Sequence, residues 1–176
     1  MKQRAVTHVR GSFLRTTGRV LCAVLVLSAL PALPVGAAPA RSATLNGATR
    51  QFKWHDGPRT TTGLQCAVTN PACSHDDTLI KLTRPGGRLK IRAVAKEDLP
   101  DGVRYRPDID IYLYRSNANG DVGKRVARSE TVAPIETVQI NRARAGYYLV
   151  RVLYYSGAQM SYDGRATWTP RDRRRG

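Results

Sequence analysis

Helical periodicity is the first thing missing from this sequence. No stretch after residue 44 holds a sustained 3.6-residue apolar repeat, which excludes a helix bundle and any fold built on helical crossovers. Internal repeats are also absent, so a solenoid or propeller is excluded. Acidic residues are scarce, 13 Asp+Glu against 29 Lys+Arg, leaving a net charge of +16. The chain has three cysteines and three histidines, too few for a multi-zinc protein. No G-x-S-x-G string occurs, so there is no nucleophile elbow. What is present is an apolar fraction of 41% in 176 residues, enough for one folded domain and too much for a disordered basic tail.

The charge is unevenly distributed. Residues 1–40 carry Lys2, Arg4, Arg10, Arg15 and Arg19 and no acid, and the apolar run Val20–Leu30 follows, ended by Pro31 and Pro34. Ala38 and Ala40 stand at −3 and −1 of a cleavage point. This is the pattern of an export signal, and the run is too short to span a membrane. The expected product is a secreted, extracellular, monomeric protein without a transmembrane segment, starting near Arg41. Cys22 would leave with the signal, so Cys66 and Cys73 remain. An even count in an oxidising compartment favours a disulfide, with a free-thiol pair as the alternative. Closing that eight-residue loop is worth roughly 2.5 kcal/mol in chain entropy.

The remaining chain alternates. Arg50–Trp54, Thr78–Thr83, Arg88–Val94, Asp108–Tyr114, Val126–Ser129, Thr137–Ile140, Tyr147–Tyr155 and Ser161–Thr169 are read as strands, separated by turn residues such as Pro85-Gly86-Gly87 and Asn119-Gly120. Leu89, Ile91 and Ala93 are expected inward, with Arg88, Lys90 and Arg92 facing water. Tyr147–Tyr155 is apolar on both faces, as a central strand is. The fold class is all-β, an antiparallel sandwich of about eight strands. Residues 50–170 form the domain, 41–49 a flexible leader and 171–176 a disordered basic tail.

Asp108-Ile109-Asp110-Ile111-Tyr112-Leu113-Tyr114, followed about thirty residues later by Ala145-Gly146-Tyr147-Tyr148-Leu149-Val150-Arg151-Val152, resembles the bacterial pre-peptidase C-terminal domain over roughly residues 75–168. The resemblance implies a jelly-roll-like β-sandwich in a secreted protein. Such domains accompany peptidases and other hydrolases, and related ones bind collagen or polysaccharide. The loop between Cys66 and Cys73 is not part of that pattern. Relatives of the group often bind calcium, which makes Asp76, Asp77, Asp108 and Asp110 the candidate ligands. Asp108 and Asp110 fall on one face of their strand, but calcium wants six to eight oxygens. The competing account is that these carboxylates pair with arginines.

Other constellations are weaker. Asn117-Ala118-Asn119-Gly120-Asp121 spaces oxygens like a calcium loop but has Arg128 where the closing Glu belongs, so it is read as a hairpin turn. Ser74-His75-Asp76 are chain neighbours, which point opposite ways on an extended strand. His55 and His75 with Asp56 or Asp77 make at most part of a metal site. A small metal-dependent enzyme using His55, His75 and Asp77 is the least favoured reading, and the chain is taken as non-catalytic. Tyr112 and Tyr114, opposite Ile111, are the candidate stacking residues, and Arg88, Lys90 and Arg92 the basic ones. Together they define an expected face for an extracellular polymer or secreted protein, such as cell wall, polysaccharide or matrix. Nucleic acid is not expected, since no recognition motif is present. The alternative is a structural or regulatory partner of a separately encoded secreted hydrolase.

Overall fold

The computed structural model describes residues 38–60, 73–97, 106–156 and 159–171. Nine strands and no helix occupy them: β1 (Arg41–Leu45), β2 (Gln51–Thr60), β3 (His75–Leu82), β4 (Gly87–Glu97), β5 (Asp108–Ser116), β6 (Arg125–Ser129), β7 (Ile135–Ala143), β8 (Gly146–Ser156) and β9 (Gln159–Thr169). They form a five-stranded sheet in the order β1-β3-β8-β5-β6 and a four-stranded sheet in the order β2-β9-β4-β7. All ladders are antiparallel except β1–β3, which is parallel.

The period-2 pattern explains the layering. On β4, Leu89, Ile91 and Ala93 are fully buried while Arg88 and Lys90 are exposed. Ile109, Ile111 and Leu113 of β5, Val150 and Val152 of β8, and Ala166 and Trp168 of β9 meet them in one core between the sheets. β8 is the middle strand of its sheet, as its two-sided apolar sequence requires. Its other face, with Leu149 and Leu153, packs with Leu79, Tyr112, Tyr114 and Cys73 into a second buried cluster. The five-stranded sheet therefore buries an apolar cluster on both sides, with polar groups such as the Asp77–Arg151 pair beside the outer one, whereas the four-stranded sheet turns a polar side to solvent.

Two boundaries differ from the sequence expectation. Arg41–Leu45, expected within a flexible leader, is β1, in register with Thr78–Leu82. Its five residues are too short and too polar for alternation to mark them. β2 runs on past Trp54 to Thr60 through a register shift between Asp56 and Arg59. Gly57 lies in that shift at φ 112°, and a Cβ there would meet Ser161 Cα at 2.6 Å. A side chain fits neither the backbone nor the space. The Asn119-Gly120 hairpin is present: Gly120 has φ 87°, and Asn117 Oδ1 accepts from the amides of Asn119 and Asp121.

Residues 1–37 of the expected export signal (1–40), Cys66, and residues 172–176 of the expected tail (171–176) lie outside the described residues, so the Cys66–Cys73 pairing is not placed. Cys73 itself is 3% exposed. Among the described residues no helix is long and apolar enough to cross a membrane.

Candidate binding face and the buried charge network

The expected binding face does not exist as one surface. Tyr112 and Tyr114 lie on the outer side of the five-stranded sheet, in the second apolar cluster, only 5% and 7% exposed. Burial raises the pKa of both phenols. Arg88, Lys90 and Arg92 lie on the outer side of the other sheet. The sequence placed the tyrosines correctly opposite Ile111, but that side of β5 is not a solvent face.

The four candidate calcium ligands are likewise dispersed. Asp76 and Asp77 point to opposite faces of β3. Asp77 accepts a two-pronged pair from Arg151 at 2.8 and 2.7 Å. Asp108 and Asp110 do share a face, on β5. Asp110 is pushed up to about 7, first by burial and then by Asp108, Glu130 and Glu136. Among the described residues no group of three or more His, Cys, Asp or Glu side chains is arranged to hold a metal. The histidines do not converge either. His55 Nδ1 lies 3.0 Å from Asp163 Oδ1 on the outer face of the four-stranded sheet. His75 Nδ1 bonds the Cys73 carbonyl at 3.0 Å, on the outer side of the other sheet.

Asp76 and Asp56 point inward and anchor a polar network between the sheets. Arg41 of β1 donates to Asp76 Oδ2 at 2.5 Å and to Asp56 Oδ1 at 2.6 Å. Arg59 donates through Nε to Asp56 Oδ2 at 2.6 Å and through Nη2 to Oδ1 at 3.2 Å. The Tyr154 hydroxyl donates to Asp56 at 2.6 Å, and the Tyr162 hydroxyl donates to Asp76 while accepting from Trp54 Nε1 at 2.9 Å.

The two carboxylates respond differently. Burial works to raise the pKa of Asp56, but hydrogen bonds from Arg59, Tyr154 and Arg41 outweigh it and hold the group at about 2. Burial dominates at Asp76 and raises its pKa, with Asp56 adding to the effect. Asp76 Oδ1 has no hydrogen bond, and Arg59 Nη2 stands 3.8 Å away. The network's sequence signal lay in polar residues at inward positions, Asp56 after Phe52 and Trp54, and Asp76 before Ile80 and Leu82. The network ties β1, β2, β3, β8 and β9 together between the sheets, with Arg41 and Arg59 reaching it from a partly exposed edge.

The solvent-facing side of the four-stranded sheet is the open surface. Lys53, Arg165 and Arg92 stand directly opposite one another on β2, β9 and β4. Neighbouring strands are about 4.8 Å apart, so three cations stand side by side in one row. Lys90 and Arg88 extend the positive charge along β4, beside Thr167 and Thr169. None of these five cations makes an ion pair with a described residue. Asp163, the one acid on this face among the described residues, is occupied by Lys96 and His55, which lower its pKa. A depression of about 530 Å³ opens between Lys53, Arg92 and Arg165, with Gly164 at its base. A Cβ on Gly164 would sit 2.1 Å from the Trp54 indole. Lys53 and Arg165 were not singled out in the sequence, although each occupies an outward position beside buried neighbours.

Comparison with known proteins gives a likeness of architecture. No family model matches the sequence, and no curated protein matches it. Among solved structures the chain is similar to the pre-peptidase C-terminal domain of a collagenase from Bacillus anthracis, with 10% identity and a TM-score of 0.43, covering 73% of this chain and 94% of that one. It is also similar to part of a β-glucosidase from Paenibacillus barengoltzii, with 12% identity and a TM-score of 0.36, covering 76% of this chain and 12% of that one.

Proposed function

We propose that the chain is a non-catalytic accessory domain that holds an anionic extracellular polymer on the outer face of its four-stranded sheet. The observation that carries this reading is the row Lys53–Arg165–Arg92, three cations in register with no acid between them. Like charges directly opposite across a ladder destabilise a sheet, and a polyanion laid over them relieves that repulsion. The export pattern of residues 1–40 supplies the extracellular setting.

The test is co-sedimentation of the purified protein with insoluble cell wall, an acidic polysaccharide gel and neutral cellulose, at ~50 and ~500 mM salt, a range that separates screened charge from close contact. Retention on the anionic matrices and not on cellulose, weakened by salt and by Arg92→Glu, is the expected result. Retention on cellulose equal to that on the anionic matrices overturns it. A discrete complex with a secreted protein, without polymer retention, favours the role of hydrolase partner.

A further inference from the structure

We propose that the depression between Lys53, Arg92 and Arg165 is a discrete subsite for a phosphate group carried by the bound polymer. The proposal rests on the polymer-binding reading and adds the chemical class of its ligand. The geometry supports a local site over a diffuse positive surface. The three cations come from three adjacent strands, so their side chains surround one depression instead of following a single strand. Gly164 lines it with backbone alone, since the side-chain position of that residue lies on the core side against Trp54.

The choice of phosphate follows from charge and shape. Two guanidinium groups and one ammonium line one depression. A tetrahedral phosphate, with several acceptor oxygens, meets more of them than a planar carboxylate does. A terminal phosphate also carries close to two negative charges at neutral pH, nearer to balancing three unpaired cations. Asp163 and Val94 line one end of the depression. Asp163 does not repel the ligand strongly there, because Lys96 and His55 are already paired with it.

The experiment titrates the whole protein with inorganic phosphate, sulfate and acetate at constant ionic strength, and with a short linear polyphosphate. The readout is the NMR shift of arginine Nε–Hε groups together with calorimetric affinity. Phosphate and polyphosphate are expected to shift Arg92 and Arg165 ahead of Arg88, with sulfate weaker and acetate weakest. Arg165→Gln is expected to lower polyphosphate affinity about tenfold, as the loss of one charge-assisted donor pair does. Arg88→Gln, on the same face outside the depression, should lower it less than twofold. Each variant is used only if its Tm matches that of the parent.

Equal losses at Arg88, Arg92 and Arg165 would overturn the subsite, as would acetate binding as well as phosphate. If anionic matrices still retain the protein in either case, the polymer-binding reading stands and only the subsite falls. Loss of both matrix retention and phosphate binding removes the two together.

Discussion

At the scale of single residues, the most consequential groups are two acids with opposite tendencies. Asp56 is held at about 2, below its ordinary 3.8, by Arg59, Tyr154 and Arg41. A depressed folded-state pKa gives stability that is complete above the unfolded value and is lost as pH falls from about 4 towards 2. Removing one partner of a buried pair costs about 3–5 kcal/mol. Asp56→Ala is therefore expected to lose on the order of 3 kcal/mol in urea unfolding at pH 7 and much less at pH 2. Asp110 behaves in reverse. Its pKa is raised to about 7, so the folded state binds the extra proton, and stability declines as pH rises from about 4 to 7. Asp110→Asn should flatten that decline and exceed the parent by at least ~1 kcal/mol at pH 8. A variant less stable than the parent at pH 8 would contradict this. Arg59 and Asp108 stand close by in the sequence, but neither shift is visible there, because burial is the largest cause in both and Tyr154 and Arg41 for Asp56, Glu130 and Glu136 for Asp110, are brought in by the fold.

Strands differ in how readily their sequences disclose them. β4 is plain, since Leu89, Ile91 and Ala93 alternate with Arg88, Lys90 and Arg92 and both sets obey the pattern. β8 reads as central because both its faces are apolar. β1 escaped notice because Arg41-Ser42-Ala43-Thr44-Leu45 offers one large apolar residue, and its partner is parallel and more than thirty residues away. Among the described strands it is an edge strand with a ladder on one side, and Arg41 ties it to Asp76 on neighbouring β3 and to Asp56 across the sandwich. Arg41→Ala is expected to speed hydrogen exchange in 41–45 by at least about tenfold, while β4 and β8 amides keep their protection, since edge elements open locally. Uniform acceleration across all strands would show instead that Arg41 supports the whole fold.

For the whole molecule, the two sheets have divided the labour of their outer faces. One is sealed by apolar side chains, including the tyrosines expected to bind; the other is open and cationic. Composition disclosed the charge excess but not its placement, because pairing order decides which strands share a face. β2, β9 and β4 are adjacent in space but far apart in sequence, so Lys53, Arg92 and Arg165 could not be grouped from sequence spacing. Arg88, Lys90 and Arg92 share the outer side of β4, and their neighbours there lie on β9 and β2, not on β5. Reversing one charge, as in Arg92→Glu, should leave the Tm within a few degrees, because surface changes are small in energy.

The order of strands also sets a timetable. Among the described strands β2 finds its one ladder partner in β9, β4 shares that same partner, and β3 pairs inward with β8. A chain leaving the ribosome cannot close either sheet until its final quarter has emerged. Such long-range pairing makes for slow folding, on the order of milliseconds to seconds. A chain ending before Gln159 would leave β2 with no strand to lie against. Until that last quarter emerges β2 waits without its ladder, and β9, laid between β2 and β4, is the closing stitch of the four-stranded sheet.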